Sequence, residues 1–206
     1  MRATRYVLAA LAVSLAPACT DTDHTVVGDP VGETIADGQD TGDSLANESF
    51  DELSGDDYAT VIGKTGSILA ALHDGEINQA EFALDGLIAD DIFRFANELL
   101  ADHHDANFAL DGVVRFYGIG YLASSTADSV TLEAHSGIGE LRAAPAELLD
   151  FVFIDLQVRM HASAKVLLDE LYTQVGPGEM GDYILDTQDM IDHHLAVATY
   201  LLAGFY

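Results

Sequence analysis

Four polar residues interrupt the apolar faces of four predicted helices, and their side chains are of types that bind transition metals. They are Glu76, His103, His161 and His194, each flanked at three or four residues by small or apolar side chains. Imidazole nitrogen and carboxylate oxygen suit a borderline divalent ion such as zinc or copper, and four ligands complete a tetrahedron. The sequence therefore predicts a metal site. The alternative is a hydrogen-bonded Glu/His ring, because buried polar groups are normally paired.

The positions of these residues along their helices also agree. Glu76 and His103 are nearly equidistant from the turn between the first two helices, and His161 and His194 are nearly equidistant from the Gly-Pro-Gly turn between the last two. At 1.5 Å per residue, the two pairs lie roughly 20 and 25 Å from their turns, near the middle of helices about 45 Å long. All four side chains are therefore expected in one layer.

The other histidines of the helical region are predicted to be solvated: His73, His104, His135 and His193. Consecutive helical residues point about 100° apart, so only one member of each doublet, His103-His104 and His193-His194, can face inward. Asp102 and Asp192 precede the doublets. Because acidic residues are common on such a surface, these aspartates are predicted to face solvent. Orienting a ligand imidazole is the alternative for them.

The elements that must position these residues are long amphipathic helices. Apolar residues recur at three and four from Tyr58 to Leu87, from Ile92 to Tyr117, from Leu148 to Tyr172 and from Ile184 to Phe205. Residues 121–144 are rich in Ser, Gly and Ala and predict a crossover with a short helix near residues 131–134. Four such helices are best buried as an all-α four-helix bundle with a long crossover between helices 2 and 3.

The N-terminal region is typical of export. Residues 1–18 contain two arginines, a short apolar run and Ala-Pro-Ala directly before the only cysteine, Cys19. This order predicts a lipoprotein signal peptide with lipidation at Cys19, although Ala16 stands where leucine is usual; ordinary secretion is the alternative. Residues 19–57 lack apolar periodicity and predict a disordered acidic tether, with the helical domain at 58–206.

The charge balance argues against polyanionic partners. The chain has 35 acidic and 8 basic residues, for a net charge of −27. A field of that sign repels phosphate backbones and anionic headgroups, so neither nucleic-acid binding nor direct membrane binding is expected. The predicted partners are a metal ion or an envelope protein, with membrane contact only through the lipid anchor.

Several short motifs in order resemble one bacterial family. They are Gly75-Glu76, Phe95-Ala96 with Ala101-Asp102-His103, Phe153 with His161, and His194-Leu195 with Ala198. Together they are similar to the domain-of-unknown-function 4142 family, across residues 58–206. The resemblance implies an exported, ferritin-like four-helix bundle in the periplasm or outer membrane. It also implies Glu76, His103, His161 and His194 as the shared polar positions, and it brings no established activity.

Signatures of catalysis are mostly missing from the sequence. Di-iron bundles need Glu-x-x-His on two helices, and no histidine of the helical region has Glu or Asp three residues before it. No nucleophile-elbow or zinc-protease motif is present either. The sequence therefore disfavours a di-iron site and an enzyme. It favours metal storage, buffering or sensing, with a non-catalytic structural or interaction protein of the envelope as the alternative.

Overall fold

The computed structural model describes residue 53 and residues 56–206, and all regular structure in this part of the chain is helical. Residues 56–206 form five α-helices and a 3₁₀ turn at Ala146–Leu148. The helices are α1 (Tyr58–Leu84), α2 (Asp90–Phe116), α3 (Ser125–Ala143), α4 (Leu149–Val175) and α5 (Glu179–Ala203).

The helix ends follow from local chemistry. The Asp57 side chain accepts a hydrogen bond from the Thr60 amide at 2.9 Å and so caps the first turn of α1. The chain leaves α2 and α4 through Gly118 and Gly176, both with positive φ, which glycine adopts at little cost. These signals place the four predicted long helices close to their expected bounds.

Four of the helices contact one another in a closed ring. Helix α1 packs against α2 and α4, and α5 packs against the same two helices. Helices α4 and α5 run antiparallel, since Lys165 pairs with Asp192 and Asp169 pairs with Gln188. Helices α1 and α2 do the same, because His73 contacts His103 and Gly66 lies against Val114. An antiparallel ring directs one face of each helix to a shared interior.

The crossover is more ordered than predicted. The sequence suggested only a short helix near residues 131–134, whereas α3 spans Ser125–Ala143. Ser124 caps it by accepting from the Ala127 amide at 3.1 Å, and buried residues recur along it: Ala127, Val130, Ala134, Gly137 and Leu141. Its Ser and Gly content weakens the helix signal, but packing against α1 and α4 stabilises the helix.

Gly75 allows α3 to approach α1 closely. A Cβ atom built at Gly75 would lie 2.8 Å from the Cβ of Ala134, which is shorter than a normal carbon–carbon contact. The two helices therefore meet at a distance that only glycine permits at this position, and α3 covers the α1 face beside the polar layer.

A buried polar layer divides the apolar core. One cluster lies around Ile68, Leu110 and Leu168, and a second lies around Phe95 and Phe153. Between them lie fully buried polar side chains from α1, α2, α4 and α5: His73, Glu76, Gln79, His103, Gln157, His161 and His194. Burying so many polar groups is costly unless each has a partner, so this layer is where a functional site is expected.

The predicted signal peptide (1–18), the lipidated Cys19 and nearly all of the tether (19–57) lie outside the described residues. In the part that is described, no helix combines the length and the apolar character needed to cross a membrane.

Candidate metal centre

Three of the predicted site residues converge in the polar layer. His103 on α2, His161 on α4 and His194 on α5 are fully buried, and one ring nitrogen from each lies within 4.8 Å of the others. The three ring centroids are 5.3 to 6.0 Å apart. Each imidazole comes from a different helix, so the packing of α5 against α2 and α4 assembles the cluster.

His161 and His194 each have a second partner that fixes which nitrogen carries the proton. His161 Nδ1 lies 2.9 Å from the Gln157 carbonyl oxygen, one turn earlier on α4. His194 Nε2 lies 2.9 Å from Asp102 Oδ2 on α2. A carbonyl and a carboxylate can only accept, so these two nitrogens donate. The opposite nitrogens, His161 Nε2 and His194 Nδ1, face each other at 3.3 Å.

His103 is the third member and is held from its other side. Its Nδ1 lies 2.9 Å from Nδ1 of His73 on α1, and His73 Nε2 lies 2.7 Å from the Tyr183 hydroxyl on α5. The Tyr183 hydroxyl donates to the Ala106 carbonyl at 3.0 Å. The remaining nitrogen, His103 Nε2, is buried and has no hydrogen-bond partner among the described residues.

Burial keeps these rings neutral. Loss of solvation lowers the pKa of His161 to about 3 and that of His73 to about 4, and it lowers the pKa of His103 well below its usual value. Burial also lowers the pKa of His194, although the Asp102 carboxylate opposes that shift. Neutral imidazole is the form that binds metal, so protons do not compete for these nitrogens near neutral pH.

Glu76, the fourth predicted ligand, is buried but lies apart from the three converging nitrogens. Its Oε1 is 3.8 Å from Nδ1 of His161, the nitrogen that faces away from the cluster. Within the part of the chain that the structure describes, neither carboxyl oxygen has a hydrogen-bond partner at hydrogen-bonding geometry. Burial raises the pKa of Glu76 to about 8, with nearby Gln157 lowering it in part. The structure thus gathers three of the four predicted residues and holds Glu76 as a neutral acid beside them.

The prediction that His73 is solvated is wrong, because its ring is fully buried. A signal was available in the sequence, since His73 follows Leu69 by four residues and precedes Glu76 by three. The same prediction holds for His104, His135 and His193, which are exposed.

The aspartates before the two histidine doublets behave differently from each other. Asp192 forms an exposed ion pair with Lys165, whereas Asp102 hydrogen-bonds a cluster histidine on another helix. Sequence reasoning offered orientation of an imidazole only as an alternative for Asp102. Its pairing with His194 across the α2/α5 contact has no signal in the local sequence.

An open cavity of about 480 Å³ lies between α2 and α5, next to the cluster. Its lining includes Asp102, the partner of His194, and Tyr183, the partner of His73, together with the acidic Asp105 and Asp186. The cavity therefore brings solvent next to one direct partner of the cluster, Asp102, while the three rings themselves remain buried.

Comparison with known proteins gives one match. The family model described as Domain of unknown function (DUF4142) matches residues 64–201, which include all three cluster histidines. The chain belongs to the DUF4142 family. Neither the curated proteins nor the solved structures give a significant match. Membership in DUF4142 confirms the predicted resemblance and brings no established activity with it.

Proposed function

We propose that this DUF4142 protein holds one transition-metal ion, zinc or copper, through His103, His161 and His194. The role that fits best is storage, buffering or sensing of that ion outside the cytoplasm. The observation that carries the proposal is the 3.3 Å contact between His161 Nε2 and His194 Nδ1, two rings whose opposite nitrogens each lie 2.9 Å from an acceptor oxygen.

The hydrogen bonds of His161 and His194 make this contact unfavourable without a cation. Because His161 donates from Nδ1 to Gln157 and His194 donates from Nε2 to Asp102, neutral rings have no proton left for the nitrogens that face each other. His103 Nε2 adds a third buried nitrogen without a partner. Converging lone pairs in a dry interior repel one another, and a metal ion bound among them turns that repulsion into three ligand bonds.

The spacing also supports a metal. Zinc–nitrogen bonds of 2.0–2.1 Å at tetrahedral angles separate two ligand nitrogens by about 3.3 Å. His161 Nε2 and His194 Nδ1 are 3.3 Å apart. One ring nitrogen from each of the three histidines lies within 4.8 Å of the other two, so His103 would move toward the ion by at most about 1.5 Å, a shift within reach of a side-chain rotation.

The chemistry of the donors limits the choice of ion. Three imidazoles favour zinc or copper, while iron sites in helical bundles depend on several carboxylates. Of the two carboxyls beside the cluster, Glu76 is neutral and lies on the far side of the His161 ring, and Asp102 accepts from His194 Nε2, the nitrogen opposite the cluster. The proposed site therefore has three nitrogen ligands and an open position, and the di-iron reading stays disfavoured.

The rival proposal is a structural bundle in which the histidines only hydrogen-bond one another. It requires a proton between His161 and His194, so one of them would be an imidazolium or would turn a lone pair toward Gln157 or Asp102. An imidazolium would carry charge into a layer where burial lowers the pKa of each ring. The rival predicts a domain of unchanged stability with and without metal.

We also propose the wider setting. The antiparallel ring of α1, α2, α4 and α5 supports a ferritin-like four-helix bundle, with α3 as a covering crossover helix. The sequence of residues 1–19 supports an exported lipoprotein anchored through Cys19, so the metal site would face the periplasm or the cell surface.

The test is metal content. The full chain, purified without a histidine tag or chelator and incubated with zinc or copper, should carry close to one ion per chain by elemental analysis. A His103→Ala, His161→Ala double variant should carry none. The matched control is His104→Ala, His193→Ala, which also removes two histidines, both exposed, and should keep the ion.

Circular dichroism should show that each variant remains helical, so that loss of metal is not loss of fold. Absence of metal from the wild-type chain after incubation with both ions would refute the proposal and leave the structural bundle. Equal loss of metal in the exposed-histidine control would also refute it, because the ion would then be held at the surface.

A further inference from the structure

His73 and Tyr183 have no role in the predicted site, yet both are buried and both are linked to a proposed ligand. His73 bridges His103 on α2 and Tyr183 on α5. Its ring is fully buried, and Tyr183 is 7% exposed. Because both ring nitrogens of His73 are hydrogen-bonded within the protein, neither is available to bind an ion.

The direction of this hydrogen-bond chain is set at its far end. The Ala106 carbonyl can only accept, so the Tyr183 hydroxyl donates its single proton to it. Tyr183 then accepts from His73 Nε2. A neutral His73 that donates from Nε2 has its lone pair on Nδ1, so His103 must donate from its own Nδ1. The lone pair of His103 is therefore on Nε2, the nitrogen without a partner.

The opposite direction leaves two faults. If Tyr183 donated to His73, its oxygen would face the Ala106 carbonyl oxygen at 3.0 Å with no proton between them. Protonation would then pass to His103 Nε2, which has no acceptor within hydrogen-bonding distance. A buried donor without an acceptor is costly, so the first direction is favoured.

We propose that His73 and Tyr183 are positioning residues of the metal site, which fix the tautomer of His103 so that Nε2 is available to the ion. This inference rests on the proposed metal site. It assigns the two residues to the same task that Gln157 and Asp102 perform for His161 and His194. All three ligand rings would then be held by a hydrogen bond from the nitrogen opposite the metal, an arrangement that raises affinity in metalloproteins.

The first experiment reads the tautomer in the metal-free full chain. With ¹⁵N-labelled histidine, the ring-nitrogen chemical shifts should show His103 protonated at Nδ1 and unprotonated at Nε2. Tyr183→Phe removes the hydroxyl that fixes the direction of the hydrogen bonds through His73. The ring-nitrogen shifts of His103 should then move toward a mixture of both tautomers. Tyr200→Phe, at an exposed position of the same helix, is the matched control and should leave the shifts unchanged.

The second experiment measures zinc affinity by competition with a chromogenic chelator. His73→Leu removes the acceptor and should weaken binding about 10- to 100-fold. His73→Asn places a carbonyl oxygen close to the position of Nδ1, so it should restore most of the affinity. Rescue by Asn separates positioning from packing, because Leu fills the space at least as well.

The two experiments fail separately. His103 protonated at Nε2 in the metal-free wild type, or His73→Leu with wild-type zinc affinity, would overturn the positioning role while leaving the metal site intact. A wild-type chain that binds no zinc would overturn the metal site itself, and the tautomer measurement would still decide the direction of the hydrogen-bond chain.

Discussion

Replacing Glu76 by glutamine tests whether this carboxyl binds the metal or only destabilises the fold. Burial raises the pKa of Glu76 to about 8, so the folded protein keeps it protonated at neutral pH. The unfolded chain ionises it above about 4.5, so stability is lost as pH rises from 4.5 toward 8. Glutamine has the shape of the neutral acid and cannot ionise, so Glu76→Gln removes this loss.

The magnitude follows from the distance between the two pKa values. At pH 7 the carboxyl is roughly 2.5 pH units above its unfolded pKa and still protonated when folded, which at 1.36 kcal/mol per unit amounts to about 3 kcal/mol. Glu76→Gln should be more stable than wild type by that amount at pH 7 and nearly equal to it at pH 4. Gln157 lies beside this carboxyl, and its Oε1, which has no hydrogen-bond partner among the described residues, can accept one N–H of the new amide.

The assay is urea denaturation of the metal-free chain at pH 4, 6 and 7, followed by circular dichroism. Glu81→Gln, exposed on the same helix, controls for the loss of one negative charge. Zinc binding should survive in Glu76→Gln, since Glu76 lies beside His161 Nδ1 and the proposed ligand atom of that ring is Nε2, which faces His194. If the stability difference between Glu76→Gln and wild type is no larger at pH 7 than at pH 4, the reasoning is refuted. Loss of zinc binding in Glu76→Gln would show that Glu76 is a ligand.

Three further predictions follow from the same structure. Zinc at 100 times its dissociation constant should add about 2.7 kcal/mol to the stability of the wild-type chain and raise its melting temperature by roughly 5–11 °C, with chelator reversing the shift. Gly75→Ala should destabilise the fold by about 1–3 kcal/mol in urea titrations, because its Cβ would meet Ala134 at 2.8 Å; Gly139→Ala, with open space around it, should be neutral or stabilising. Burial lowers the pKa of His73 to about 4, so lowering the pH from 7 to 5 protonates this histidine in the unfolded chain but not in the folded one. In metal-free Glu76→Gln, this should lower the free energy of unfolding by about 2 kcal/mol more than in the same variant with His73→Leu added. Urea titrations at the two pH values that show the same loss with and without His73→Leu would contradict this.

The four long helices follow from sequence because each signal is local. Apolar residues at three and four, acidic residues at Asp57 and Asp90, and glycines at 118 and 176 are written along the chain. The sequence predicts only a short part of α3, because Ser and Gly residues weaken the local helix signal. Contacts with α1 and α4 stabilise the full helix.

The sequence by itself also determined that His103, His161 and His194 face the interior, because the helical period fixes the direction of a side chain. It could not determine which ring nitrogen carries a proton or what lies beside it. Those depend on Asp102 across from His194 and on His73 and Tyr183 across from His103, residues brought together from separate helices. Only the tertiary structure decided that Glu76 lies behind the His161 ring, since packing between helices sets side-chain rotation to within an ångström and the helical period does not.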